Sequence, residues 1–349
     1  MSEYSEEGNL VKIFIYGAGS IGCYLGGRLV AAGSDVTFIS RPRIYQELSQ
    51  FGLELTDYLG NNIKLAPHQL KLTTDPTQVV DADVIFICVK SAATEQVASE
   101  LKEYLGSKTP LIISFQNGVS NVPILKSILQ QHLVLEGMVP FNVASQGAGH
   151  YHQGTSGALS VKQFPHQHLL EKLFQKSSLD IVFEKDMLAV QWAKLLLNLN
   201  NSINALSKKP LKEQLSIRGY RQCLAMVQQE ALALLSEAQI KPAKLTAVPT
   251  HLIPKILSLP NPIFKLLSRK MLEIDPLARS SMQDDLLAGR LTEIDWINGE
   301  VLKLAEQFGQ QAPINARLIE LVKLAEKSPQ SFSISASDLK DQLNAAARE

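Results

Sequence analysis

One lysine and four asparagines interrupt the leucine-rich run "QWAKLLLNLNNSINALS", residues 191–207. Leucines on both sides of Lys194 disfavour its charged form by desolvation, drawing an ammonium that ordinarily titrates at about 10.4 down toward neutrality. Such a lysine suits the protonation of a ketone oxygen while the carbon accepts hydride, so Lys194 is a candidate general acid. Asparagine forms helices poorly because its amide competes for backbone hydrogen bonds, so four in one helix call for a compensating role. On a helical wheel referenced to Lys194, Gln191, Asn198, Asn201 and Ser202 share its face, while Trp192, Leu195, Leu196, Leu199 and Ile203 point elsewhere. A solvated helix face is the plainer explanation of a polar stripe. Solvated faces favour Glu, Lys, Arg and Gln, however, and amides with a single charge fit a polar ligand better.

A second group lies in "ARSSMQDDLLAGRLTEIDWINGEVLKLAEQFG", residues 278–309. Ser281 precedes a short helix, and Glu293 falls in the first turn of a longer one whose apolar stripe is Ile297, Val301, Leu304 and Phe308. Glu293 stands at the edge of that stripe and Asp295 on the opposite, wet side. Thr292 as a cap, with Glu293 merely favouring the helix dipole, is an equally good account of the same residues.

Near the start, "VKIFIYGAGSIGCYLGGRLVAAG" sets Gly17, Gly19 and Gly22 in G-x-G-x-x-G spacing, after a strand and at the opening of a helix. Gly17 allows the tight turn, Gly19 lets a pyrophosphate approach the backbone, and Gly22 lets helix and strand pack closely; Ala18, Ser20 and Ile21 complete the loop. The second strand, "DVTFIS", is followed by Arg41 and no acid. An acid there binds the ribose 2′-hydroxyl of NAD, whereas an arginine accommodates the 2′-phosphate of NADP, so NADP is the expected cofactor, with Arg43 assisting. Asp35 begins that strand, on the wrong side for ribose. Lys90, in "VKSAATEQV", and Asn117, in "SFQNGV", end two further apolar strands, where open α/β sheets bind ligands. They either contact ribose or nicotinamide or are ordinary polar loop residues.

The elements that must hold these groups fall into two halves. From Leu10 to about Glu184, strands "VKIFIY", "DVTFIS", "ADVIFICV", "PLIISF" and "LVLEGMVPFN" alternate with helical segments, the pattern of a parallel α/β sheet buried on both faces. "GHYHQGTSGALSVKQF" then reads as an antiparallel hairpin at the sheet edge. From about Asp186 only helical periods remain, which sets domains of 1–185 and 186–349, the proline-rich stretch from Leu245 to Leu272 reading as short packed helices rather than a membrane span. The last residues read as a surface helix or a frayed end.

With 349 residues, 34 basic and 34 acidic, the chain is long enough for two cores and carries no basic excess of the kind nucleic-acid binding requires. Cys23, Cys88 and Cys223 are too few and too scattered for a disulfide framework. The acidic N-terminus lacks the marks of a signal peptide, so a cytoplasmic location is expected. The pairs His150/His152 and His166/His168 lack partners at metal-ligand spacing, and no nucleophile elbow occurs, so neither a metal nor an acyl-enzyme mechanism is expected.

Taken together, "GAGSIG", "VKS" with Lys90, "QNG" with Asn117, "WAKLLLN" with Lys194 and Asn198, and "SSMQDDLLAGRLTEIDWINGEVL" with Ser281 and Glu293 resemble the ketopantoate reductases, or 2-dehydropantoate 2-reductases, over nearly the whole chain. The resemblance implies a Rossmann domain joined to a helical domain of the 6-phosphogluconate dehydrogenase C-terminal type, with substrate in the cleft between. It implies reduction of 2-dehydropantoate to (R)-pantoate by NADPH, on the route to pantothenate and coenzyme A. Lys194 would be the general acid and Glu293 the partner of the substrate hydroxyl, also reaching the cofactor. Asn198 and Ser281 would hold the carboxylate end, Asn117 would serve cofactor and substrate, and Arg41 would meet the 2′-phosphate. The family commonly has a second asparagine where Ser202 stands, with Asn201 and Asn204 as neighbouring candidates for its role. The apolar segment from Lys241 to Ala278 is longer than the compact family form, which keeps a bulkier 2-keto acid in view. A non-enzymatic NADP sensor is disfavoured by the presence of Lys194, Glu293 and Ser281. A homodimer is one assembly to consider, with no membrane partner.

Overall fold

The computed structural model describes residues 11–267, 278–328 and 332–348. The chain divides into two compact units, Met1–Met187 and Leu188–Glu349.

The strands of the first unit are β1 (Lys12–Tyr16), β2 (Asp35–Ile39), β3 (Leu53–Asp57), β4 (Asn62–Leu65), β5 (Lys71–Thr73), β6 (Val84–Ile87), β7 (Leu111–Ser114), β8 (Val134–Met138), β9 (Val143–Gly147), β10 (His150–Gln153), β11 (Leu159–Lys162) and β12 (Ile181–Glu184). Its helices are α1 (Ser20–Ala31), α2 (Pro42–Phe51), α3 (Thr94–Leu105), α4 (Asn121–Ile128) and α5 (His168–Lys176). Eight strands form the main sheet in the order β12-β11-β8-β7-β6-β1-β2-β5, parallel throughout except where β11 meets β8. The order reverses at β1, which lies between β2 and β6, so the carboxyl ends of β1, β2, β6 and β7 share one edge, the place where open α/β sheets bind ligands. Alternation along the strands builds a core on each face. Ile13, Ile15, Val36, Phe38 and Phe86 join residues of α1, whereas Phe14, Tyr16, Ile39, Ile85 and Ile87 join Val97, Leu101 and Leu105 of α3.

The expected hairpin at 149–164 is not formed. β10 pairs with β3 and β9 in a separate four-stranded sheet, β4-β3-β10-β9, while β11 joins the main sheet beside β8 and β12. Alternation in a sequence identifies the face a residue takes and leaves the partner strand open. The connection passes Gly157 at φ +144, with Pro140 against it: an added Cβ would stand 2.6 Å from the proline ring.

The second unit is helical among the described residues: α6 (Met187–Asn198), which begins at the unit boundary, α7 (Asn200–Ser207), α8 (Leu211–Ser216), α9 (Arg218–Glu237), α10 (Ile253–Leu257), α11 (Asn261–Leu267), α12 (Ser281–Leu287), α13 (Asn298–Gln307), α14 (Pro313–Lys327) and α15 (Ala336–Ala346). The proline-rich stretch forms α10 and α11 as far as residue 267, and residues 268–277 lie outside the described part. Arg221, fully buried on α9, holds this stretch by its backbone. Its guanidinium donates to the carbonyls of Leu215, Ser216, Leu257 and Leu259 and to Asn261 Oδ1, and lies 4.0 Å from the centre of the Phe264 ring. No helix among the described residues is long and apolar enough to cross a membrane.

Candidate active site

The glycine loop leaves β1 through Gly17 at φ +106, a conformation that favours glycine. Both Gly17 N and Ala18 N donate to the Ile39 carbonyl, at 3.1 and 3.2 Å, which fastens the loop to the end of β2. The three glycines meet different surroundings. A Cβ on Gly17 would stand 2.6 Å from Val89 Cγ1, and one on Gly22 would stand 2.2 Å from the Gly17 carbonyl oxygen. A Cβ on Gly19 would meet nothing within 4 Å. Gly17 and Gly22 are therefore required by packing within the chain, and Gly19 faces open space at the start of α1. A helix start leaves N–H groups without intrahelical acceptors, and the first turn of α1 carries no acid, so the cradle fits a pyrophosphate. Around it, Ala18 is buried, while Ser20 and Ile21 are half-buried.

Arg41 is exposed and directly precedes α2 at the carboxyl end of β2. Arg43, offered as its assistant, is paired with Glu47 at 3.1 Å, one helical turn on. Asp35, at the other end of the strand, is paired with Lys71 at 2.7 Å.

Lys90 is exposed beyond β6, and Asn117 is half-buried beyond β7. Between them lies a buried polar network that type and spacing did not single out. Gln116 Nε2 donates to the Val89 carbonyl and to Thr94 Oγ1, Thr94 Oγ1 donates to Asn121 Oδ1, and Asn121 Nδ2 donates to Ser91 Oγ and to the Asn117 carbonyl. Ser91 Oγ also donates to the Asn117 carbonyl, at 3.2 Å. These side chains lock the two loops that carry Lys90 and Asn117. Ser91 and Thr94 in "SAAT" with Gln116 and Asn121 in "QNGVSN" were the available signal, with no periodicity to mark them as buried.

In the helical unit the stripe of Lys194 is interrupted at Leu199, where α6 ends and α7 begins. Side chains satisfy carbonyls at the junction: Gln228 Nε2 donates to Leu196 O at 2.9 Å and Ser202 Oγ to Leu199 O at 3.0 Å. Ser202 is 0% exposed and its hydroxyl is committed to the Leu199 carbonyl, so here it belongs to the junction. Asn204, also 0% exposed, donates to the Lys209 carbonyl and accepts from Ser280 N, tying α7 to the start of α12. Asn200 exchanges two amide hydrogen bonds with Gln214. Lys194, Asn198 and Asn201, one turn apart in succession, are each half-buried. Burial pushes the Lys194 ammonium down from its ordinary value to about 8.

Ser281 is exposed in the first turn of α12, and the cap is its neighbour Ser280, whose Oγ accepts from Gln283 N at 3.2 Å. Glu293 differs from expectation in its element. It is half-buried ahead of a 3-10 turn, Ile294–Trp296, and α13 starts only at Asn298. Thr292 donates through N and Oγ1 to Glu326 Oε1, at 2.8 and 2.7 Å, which anchors the backbone just before Glu293. Of the expected apolar stripe, Ile297, Val301 and Leu304 are buried, and Phe308, beyond the end of α13, is 46% exposed. Asp295 is paired with Lys323 at 2.7 Å. Among the described residues no group of three or more His, Cys, Asp or Glu side chains is placed to hold a metal ion.

A Rossmann-type unit followed by a helical unit that presents a desolvated lysine is the build of a two-unit dehydrogenase or reductase. The chain belongs to the ketopantoate reductase PanE/ApbA family, whose N-terminal model matches residues 13–166 and whose C-terminal model matches residues 186–326. Membership makes it an oxidoreductase acting on a CH–OH group. It is 26% identical to the 2-dehydropantoate 2-reductase of Archaeoglobus fulgidus over 90% of this chain and 98% of that protein. The crystal structure of a PanE/ApbA family ketopantoate reductase from Ralstonia eutropha JMP134 is similar with a TM-score of 0.78 and 28% identity, covering 92% of this chain and all of that one (100%). The fold is also that of a D-mandelate dehydrogenase solved with NADH and anilino(oxo)acetate, at a TM-score of 0.75 and 21% identity over 91% of this chain and 99% of that one.

Proposed function

We propose that this chain reduces a small 2-keto acid with NADPH, 2-dehydropantoate being the favoured substrate and (R)-pantoate the product. The observation that carries the reading is Lys194, half-buried with its ammonium lowered to about 8, one and two turns before Asn198 and Asn201. When bound, NADPH supplies hydride to the keto carbon. Lys194 Nζ gives its proton to the keto oxygen, so that the carbonyl becomes a hydroxyl and the lysine is left neutral until solvent reprotonates it. A value about one unit above neutral keeps most of the lysine protonated at pH 7 while lowering the barrier to proton release. Glu293 accepts a hydrogen bond from the substrate hydroxyl. Asn198 and Ser281 bind the carboxylate end, with Asn201 serving in preference to the buried Ser202. Gly17, Gly19, Gly22 and the start of α1 receive the pyrophosphate, Lys90 and Asn117 the nicotinamide ribose, and Arg41 the 2′-phosphate.

NADPH oxidation with millimolar 2-dehydropantoate tests this directly, and turnover no faster than background sinks the substrate assignment. A second reading keeps the chemistry and enlarges the acid. It is favoured by the length and apolar character of the segment from Lys241 onward, where Ile263, Leu266 and Leu267 are exposed. A panel of 2-keto acids ranked by kcat/KM, with NADPH and NADH in parallel, separates the two. NADPH binding with no turnover on any member points instead to a sensor.

A further inference from the structure

We infer that Ser40 discriminates between the two nicotinamide dinucleotides, its hydroxyl binding the 2′-phosphate beside Arg41. The inference rests on the dinucleotide reading above and adds a residue that neither type nor spacing had marked.

Ser40 is the first residue after β2. The last β1–β2 pair is Tyr16 with Ile39, so Ser40 stands level with Gly17, about twenty residues beyond the glycine loop, where an NAD-binding sheet carries its ribose-binding acid. Along β2 the side chains of Val36 and Phe38 leave the sheet on the face covered by α1, the Phe38 ring lying 2.4 Å from where a Cβ on Gly26 would stand. Alternation sends the Ser40 side chain out on that same face, near the start of α1. Its backbone N–H is committed to the Thr73 carbonyl at 2.9 Å. The residue is 8% exposed, and among the described residues its Oγ has no hydrogen-bond partner. A buried hydroxyl in that condition is disfavoured by the loss of its water, so a partner brought by a ligand resolves the mismatch.

The surroundings select which partner. At this end of the strand stands the exposed guanidinium of Arg41, and the acids nearest in sequence are engaged elsewhere: Asp35 with Lys71, and Glu47 with Arg43 and with Gly149 N. A hydroxyl next to a guanidinium gives a phosphate dianion two charge-assisted partners, whereas a ribose hydroxyl would gain from the serine only a neutral hydrogen bond.

The test measures dissociation constants of NADPH and NADH by nicotinamide fluorescence, without any keto acid, for the full chain and its Ser40→Ala and Ser40→Asp variants. Ser40→Ala is expected to weaken NADPH about ten-fold, the worth of one hydrogen bond to a charged group, and to leave NADH nearly unchanged. Ser40→Asp restores the acid of an NAD site and repels the phosphate, so it is expected to reverse the preference. The melting temperature of cofactor-free Ser40→Ala should match or exceed that of the parent, because an unmatched buried hydroxyl has been removed. A purely structural serine predicts the opposite: a lower melting temperature and an unaltered NADPH/NADH ratio. Tight NADPH binding by the parent with an unaltered ratio in both variants overturns the role of Ser40 alone. Failure of the parent to bind either nucleotide overturns the dinucleotide reading, and this inference with it.

Discussion

The two units make their candidate sites from different parts of the chain. In the first, the main chain does most of the work: N–H groups at a helix start, a carbonyl that ties the loop down, and glycines that are there because a Cβ has no room or must not intrude. In the helical unit the site is made of side chains, and one residue type serves two ends. Asn200 and Asn204 hold helices together, while Asn198 and Asn201, which follow Lys194 in the chain, are half-buried. A backbone site is thus specified by which residues are absent, and a side-chain site by which of several like residues stay only half-buried.

The sharpest way to break this contrast is at Lys194. Replacement by alanine is expected to lower kcat by about 100- to 10,000-fold, the range for loss of a general acid, with NADPH affinity nearly unchanged. Survival of activity would remove the helical unit's claim to the chemistry. Next in size come the glycines. Gly22→Ala forces a Cβ against the Gly17 carbonyl and is expected to destabilise by about 3 kcal/mol, read from the denaturant midpoint. Gly19→Ala meets no atom of the chain and should leave stability within about 0.5 kcal/mol while weakening the cofactor. If both variants behave alike, the distinction between packing glycine and ligand-facing glycine fails.

Among the asparagines, Asn204→Ala strands the Lys209 carbonyl and Ser280 N and is expected to cost about 1–3 kcal/mol. Asn201→Ala should change stability little and KM more. Equal melting shifts would mean that the two have no division of labour.

A further effect is on pH. The Lys194 ammonium is lowered to about 8 from an unfolded value near 10.5, so between these values the unfolded chain holds a proton that the native one has lost. Stability from this group therefore rises with pH across that window, and its cost is fully present below about 8. Lys194→Met should flatten that rise in urea titrations, and in the parent kcat should fall as pH passes about 8.

The part of the molecule most legible in the sequence was the part with the strictest steric rules. "GAGSIG" and the continuous apolar strands led to the parallel sheet because few other residues fit there. The small sheet escaped because Leu53–Asp57 and Asn62–Leu65 are short and half polar, and because β10 and β11, separated by glycines, look like a hairpin until their partners are known. In the helical unit the wheel assumed one unbroken helix from Gln191 to Ser207. It put Ser202 beside Lys194, whereas the break at Leu199, supported by the distant Gln228, leaves Ser202 inside. Glu293 was singled out by type and set in the wrong element, because the 3-10 turn ahead of α13 shares the composition of a helix start. Ser40 passed unnoticed because a serine ending a strand carries no signal until its hydroxyl proves to be buried.

Arg221 directs four of its five hydrogen bonds to main-chain carbonyls, two before its own helix and two around α10. A clamp on carbonyls is indifferent to which side chains those positions bear. The stretch it secures is therefore open to drift: its surface residues can be rewritten, by selection or by an engineer, with little effect on where the backbone runs, provided that the arginine and the Phe264 ring beneath it are kept.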